Sequence, residues 1–331
     1  IKKTNSNFKL SNYLIYVLLA TVCDVMPLRK INKIIAKYVI KNFKIKDNNV
    51  FKSIFNLLNI NKKLTIDDLG YLFGPIINSG GRLGFSNYAV DLLTTNNHKI
   101  IQKKSIELIK LNQKRKLLEQ NILNQINYEK IKKKNKNVII YYNAYINEGL
   151  IGIIASRLKD YFNKPAIVLT KSNSILKGSA RSTFNYNIGN LIKLLIDKKI
   201  IEKGGGHNMA AGFTIKKDNF DKLEDFIEND YSNKVLNTDL SYKYDFEISA
   251  SAINKTFFDE IDKLGPFGNY NFSPIFLIKN VKIIKPSIIN KKHISFLVKP
   301  NISSSIKSIC FNCINTKLGD YLLSCQKNIN I

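Results

Sequence analysis

NVIIYYNAYINEGLIGIIASRLKDYFNKPAIVLT, residues 137–170, decides the fold class, because three short signals follow one another within it. NVIIYY (137–142) is an apolar run of strand length, GLIGIIASRLKDYF (149–162) is a helix beginning at a glycine, and PAIVLT (165–170) is a second buried strand. The pattern continues outward. ILKGSARS (175–182) reads as a strand ending in a small-residue turn, IGNLIKLLIDKK (188–199) as a helix, GFTI (212–215) as a strand and FDKLEDFIENDY (220–231) as the closing helix. Such alternation marks an α/β domain, here assigned to residues 135–235.

Upstream, Phe8 to Tyr88 is apolar-rich, with GPIINSGGRLG (74–84) as a glycine loop between helical stretches. From Leu92 to Lys134 there is no glycine or proline, and Ile106, Ile109, Leu117, Ile122 and Ile126 recur among lysines, which predicts one long amphipathic helix connecting domains. Beyond Thr238, YKYDFEIS, IFLIKNVKII, HISFLVK and SIKSICFN are short strands between turns, the make-up of a small all-β barrel that is expected to be incomplete at the end of the chain. The longest apolar stretch, YLIYVLLATVC (13–23), is well short of a bilayer span and reads as a buried strand or helix, so a soluble, cytoplasmic protein is expected. Ile1 in place of methionine, with no signal-peptide layout after it, suggests a piece of a longer protein.

The net charge of +27 arises from 47 lysines and 5 arginines against 25 acids and suggests a polyanionic partner, although a composition rich in Lys, Ile and Asn and lacking Trp can also follow from AT-biased coding. The arginines are more telling, because a chain that avoids arginine keeps it where guanidinium geometry is hard to replace. Arg82, Arg157 and Arg181 all lie in or beside glycine- and serine-containing stretches. CFNC (310–313) has the spacing of half a zinc site, but only Cys325 and the distant His293 could complete it, so buried reduced thiols in a strand are the better reading.

Several residues are placed to carry chemistry. Asp24 ends the apolar run in ATVCDVMPL, where it is either a carboxylate at the end of a strand, able to bind metal, or a helix-cap or turn aspartate. GPIINSGGRLG offers freed backbone amides, Asn78 and Arg82, the parts of a phosphate cradle without a nucleotide-binding fingerprint. LKGSARS (176–182) and GGGHNMAAG (204–212) bring Ser179, Arg181, Ser182, Gly205, Gly206 and His207 into the α/β unit. There the glycines would let backbone amides approach a ligand while Arg181 forks onto a phosphate and His207 hydrogen-bonds it.

ATVCDVMPL, DLGYLFGPIINSGGRLG, EGLIGIIASRL, LKGSARS, GGGHNMAAGF and LGPFGNYNFSP occur in the order and spacing of the RecJ family of the DHH phosphoesterase superfamily, and the chain resembles it over nearly its whole length. The resemblance implies the C-terminal part of a DHH domain (1–91), a connecting helix (92–134), an α/β DHH-associated substrate-binding domain (135–235) and an OB-fold barrel (238–331). It implies a 5′-to-3′ exonuclease of DNA repair and recombination that hydrolyses single-stranded DNA with Mn2+ or Mg2+. Asp24 would be a metal ligand, Asn78 and Arg82 would lie at the scissile phosphate, and Ser179, Arg181, Ser182, Gly205, Gly206 and His207 would line the substrate groove. Single-stranded DNA would be the partner of a monomer, with a helicase or single-strand-binding protein beside it, and Phe267 and Tyr270 are candidates for base stacking or core packing.

The sequence departs from that family in three places. The Asp-x-Asp and Asp-His-His motifs are absent and expected before Ile1, so the chain alone should not cleave DNA. Ile76 replaces an arginine, and Ile146 and Asn147 replace tryptophan and histidine. Alternative readings are a nucleotide or short-oligonucleotide phosphatase of the same superfamily, disfavoured by the strands after Tyr242, and a non-catalytic nucleic-acid-binding remnant. An editing domain associated with alanyl-tRNA synthetase would need a zinc site that is not found.

Overall fold

The computed structural model describes residues 9–234, 243–300, 304–314, 316–324 and 329–331. Cys325, Thr238 and Tyr242, used in the sequence reading, lie outside them. The chain forms two compact units, one of Ile1–Phe43 with Leu240–Ile331 and one of Lys44–Asp239.

In the first unit, α1 (Leu14–Cys23) resolves YLIYVLLATVC as a helix, with Ile15, Leu18 and Leu19 buried. After it comes α2 (Lys30–Asn42).

The second unit begins with α3 (Asn49–Leu57), capped by the Asn48 side chain, which accepts from the Val50 and Phe51 amides. A π-helical turn, Asp68–Phe73, then runs directly into α4 (Gly74–Arg82). The expected glycine loop is therefore a helix. Packing overrides the poor helix propensity of glycine here: Ser79 is fully buried, its hydroxyl donating to the Ile76 carbonyl and lying 3.1 Å from that of Leu108. A Cβ on Gly80 would stand 2.6 Å from the Phe85 carbonyl oxygen and 3.3 Å from the Leu108 side chain, so only glycine allows this approach. Gly84, at φ +91°, makes the turn that follows.

The expected single helix over 92–134 is three: α5 (Asn87–Thr94), α6 (His98–Gln125) and α7 (Tyr128–Lys133). Asparagines make the breaks. Asn97 accepts from the Lys99 and Ile100 amides and Asn127 from that of Lys130, each starting a new helix where neither glycine nor proline intervenes.

Next come β1 (Ile139–Tyr142), α8 (Glu148–Phe162), β2 (Ala166–Ser172), β3 (Ile175–Arg181), α9 (Ile188–Asp197), β4 (Lys203–His207), β5 (Ala210–Lys216) and α10 (Phe220–Lys234). The strands form one sheet in the order β1-β2-β3-β5-β4, in which only β1 and β2 are parallel. Side chains alternate between two cores. Ile167, Leu169, Leu176, Ala180, Phe213 and Ile215 face α9 and α10, whereas Ile139, Ala166 and Val168 face α8 with Leu150 and Ile154.

The first unit resumes with β6 (Phe246–Glu247), α11 (Lys255–Leu264), β7 (Phe276–Leu277), β8 (Lys282–Ile289), β9 (His293–Lys299), β10 (Ile306–Cys310) and α12 (Lys317–Ser324). Its strands pair as β10-β9-β8, antiparallel, around Val281, Ile294, Phe296 and Val298, and as a separate parallel pair, β6-β7. The sequence reading lacked both helices. YKYDFEIS contributes only two strand residues, and CFNC is not a strand but a turn leaving β10, with Phe311 exposed and the Cys313 thiol donating to the Cys310 carbonyl at 3.2 Å. Burial and the Cys313 neighbour push the Cys310 thiol up to about 11.

Candidate nucleic-acid interface

Helix α8 covers β2 and part of β3 but leaves Gly212 of β5 and Lys203, Gly205 and His207 of β4 exposed on the same face, with Thr214 buried. Register builds this surface in three rungs: Arg181, Ala210 and His207; Ser179, Gly212 and Gly205; Lys177, Thr214 and Lys203. Neighbouring strands lie about 4.8 Å apart, so Arg181 and His207 flank a floor roughly 10 Å wide whose only intervening side chain is a methyl group. Below it, Glu148, Lys177, Lys203, Gly205 and Gly212 border an open groove of about 490 Å³. Lys177 pairs with Glu148, and its hydrogen bond, with another from Ser172, holds that carboxyl below the usual range.

The glycines divide by face. A Cβ on Gly205 would meet nothing within 4 Å, and one on Gly212 only the Gly178 carbonyl at 3.8 Å, so no packing within the protein requires glycine at either position. On Gly206, which points to the opposite face, a Cβ would stand 2.4 Å from the Ala210 carbonyl oxygen. Gly206 is therefore needed for β4 to pair with β5. Ser182 is 1% exposed, and its hydroxyl donates to the Tyr186 carbonyl at 2.6 Å. Asn78 is exposed on α4.

Above the floor stands a cluster of arginines. A Cβ on Gly149 would lie 2.2 Å from the Arg82 carbonyl oxygen, which shows how closely α8 begins against the end of α4, and Arg82 Nη1 donates to the Gly149 carbonyl at 3.0 Å. One turn on, Gly152 makes room for Arg181, whose Nη2 would be 2.8 Å from an added Cβ. Arg181 Nη1 donates to the Ala180 carbonyl at 2.8 Å and to Ser179 Oγ at 3.2 Å. Burial, and then the charge of Arg82, lowers the Arg181 pKa, while burial and Arg115 lower that of Arg82 against the opposing pull of Glu119. Both guanidinia remain protonated at neutral pH, and each retains N–H donors that no side chain among the described residues takes. Two crowded cations with donors to spare form a site that an anion would relieve.

Glu119, 7% exposed on α6, is the counter-charge: Oε2 accepts from Arg115 Nη1 and Oε1 from Arg157 Nε, both at 2.7 Å. Asn112 accepts twice more from Arg115. Arg115 and Glu119 were missed in the sequence, because no glycine or serine flanks them. The available signal was the spacing of Asn112, Arg115 and Glu119 along one helical face, with an arginine where this chain ordinarily uses lysine.

His207 is exposed, and its Nδ1 faces the Met209 amide at 3.4 Å, which leaves Nε2 free to donate outward.

Residues 135–233 match the DHHA1 domain and residues 244–331 the RecJ OB domain. The single-stranded-DNA-specific exonuclease RecJ of Haemophilus influenzae is 29% identical over 96% of this chain, and that of Bacillus subtilis 26% identical over 89%. The chain thus carries a DHHA1 domain followed by a RecJ OB domain and is similar to the RecJ exonucleases over most of its length. It spans 57% and 38% of those two relatives. RecJ of Thermus thermophilus, solved in complex with Mn2+, shares the fold, with a TM-score of 0.77 at 21% identity over 91% of this chain and 44% of that one.

Asp24 belongs to the first unit and is the C-cap of α1, not the end of a strand. Among the described residues no group of three or more His, Cys, Asp or Glu could hold a metal ion, so Asp24 alone does not make a metal centre. Within that unit the segment after Asp24 is tied to the GPFGNYN loop: the Leu28 amide donates to the Asn269 carbonyl at 2.7 Å, Asn269 Nδ2 donates to Val25 O, and Lys33 Nζ donates to Asn271 Oδ1 at 3.2 Å. Tyr270 lies under Arg29, 5.7 Å from ring centroid to guanidinium carbon. No helix among the described residues is long and apolar enough to cross a membrane.

Proposed function

We propose that this chain supplies the strand-holding part of a 5′-to-3′ exonuclease specific for single-stranded DNA, which hydrolyses phosphodiester bonds with Mn2+ or Mg2+. The observation that carries this reading is the face of β5 and β4, a floor of Gly205, Gly212 and Ala210 flanked by Arg181 and His207. A phosphate on that floor accepts from Arg181 and from His207 Nε2, with Arg82 adding positive charge behind. Such a surface recognises the sugar–phosphate chain, and the many lysines make binding fall steeply with salt. Asp24 contributes one carboxylate to the metal in this reading, and the described residues do not complete its site.

Fluorescence anisotropy with a labelled oligothymidylate tests the assignment. Arg181→Ala with His207→Ala should weaken binding at moderate salt at least tenfold while the melting temperature holds; affinity equal to the parent would overturn it.

A further inference from the structure

The sheet has a second open edge, β1, with different chemistry. Ile139 and Tyr141 are in register with Ala166 and Val168 on β2, and the Ile139 and Asn143 amides donate to the Pro165 and Leu169 carbonyls at 2.8 and 3.1 Å. Alternation then turns the N–H and C=O groups of Ile140 and Tyr142 outward, where no strand among the described residues pairs with them. This edge is the floor of a groove of about 360 Å³ between α7 and α10. Its two walls differ. Lys130 and Lys134 line it from α7; Phe220, Glu224 and Glu228 line it from α10. The Glu228 carboxylate accepts from the Asn137 amide at 2.9 Å and so closes the groove where β1 begins.

We propose that this groove binds an extended peptide segment of a protein partner, added as a sixth strand beside β1 and carrying acidic residues at alternate positions with apolar residues between them. Two outward backbone pairs require an extended main chain. Side chains of an added strand alternate between the walls: those toward α7 meet two lysines and are acidic, and those toward α10 meet the Phe220 and Tyr142 rings, which lie 6.1 Å apart, and are apolar. A sugar–phosphate chain suits the groove less well than a peptide, since it cannot pair with the outward N–H and C=O groups of β1 and would lay phosphates against Glu224 and Glu228 as well as the lysines. A second copy of this chain is disfavoured by its charge of +27. The site is independent of the proposed strand-holding face, because β1 and β4 are opposite edges of the sheet.

The test is to pan a displayed library of random heptapeptides against the full chain and measure the enriched peptides by anisotropy. Enrichment of alternating acidic and apolar residues is expected. Their affinity should fall at least tenfold with Ile140→Pro, which removes one outward N–H without touching the bonds to β2, and with Lys130→Glu plus Lys134→Glu, which are exposed and keep the test valid if the proline variant does not fold. Hydrogen exchange at the Ile140 and Tyr142 amides should slow when peptide is bound. Absence of enrichment, peptides indifferent to both variants, or displacement of peptide by oligothymidylate would overturn the proposal.

Discussion

Replacing Gly205 by alanine separates a glycine kept for a ligand from one kept for the fold. Its new methyl group meets no protein atom within 4 Å, and alanine in a strand interior is about 0.5–1 kcal/mol more stable than glycine, so the melting temperature should hold or rise. The same methyl rises from the glycine rung of Ser179, Gly212 and Gly205, two residues from His207 along β4, and would hold a sugar–phosphate chain laid on that floor away from His207. Losing one hydrogen bond to a charged group costs about 1.5–3 kcal/mol, roughly ten- to a hundredfold in affinity. Gly206→Ala is the control, since its Cβ would come within 2.4 Å of the Ala210 carbonyl oxygen and 2.5 Å of the Ala211 Cα. Overpacking of this kind costs about 1–3 kcal/mol, so this variant should melt earlier. Thermal melts and oligothymidylate anisotropy on both variants decide the matter. If Gly205→Ala binds as well as the parent, or is destabilised as Gly206→Ala is, the division of the two glycines by face is wrong.

Gly152→Ala should push the Arg181 guanidinium, 2.8 Å from the added Cβ, off Ser179 and weaken oligothymidylate binding about tenfold, whereas Gly149→Ala, 2.2 Å from the Arg82 carbonyl oxygen, should also lower the melting temperature. Glu119→Ala leaves Arg115 buried without its counter-charge and should destabilise the chain by about 3–5 kcal/mol in a urea titration. Cys23, pushed by burial and Asp24 from 9.0 up to about 11, stays protonated in the folded chain after an unfolded one ionises. Its contribution to stability is complete below pH 9 and lost as pH rises toward 11, so Cys23→Ala should flatten the alkaline limb of a stability profile in that window.

The α/β pattern of residues 137–231 was legible because β1, β2 and β3 bury continuous or alternating apolar residues and α8 and α9 bring helical periodicity directly between strands. β4 was not legible, since KGGGH has neither strand propensity nor alternation and is ordered by the ladder that β5 offers. The helix at Gly74–Arg82 was hidden for the opposite reason: its glycines and serine look like a loop until Leu108 packs against them. Of the candidate site, Arg181, His207 and Gly205 could be picked out by residue type and do share one face. Gly206 and Ser182 could not be separated from them, because which side of a strand a residue takes depends on register, and register comes from the partner strand. The Glu119 network depends on α6 meeting α8, a contact with no signature in either segment.

The floor between Arg181 and His207 carries another implication. Glycine and alanine have no side-chain group with which to read the edge of a base. If the proposed function holds, a strand on this floor would be gripped without regard to its letters, and abasic positions, oxidised bases and bulky adducts would slide across it as readily as intact nucleotides. Tolerance of damage would follow from the missing side chains themselves.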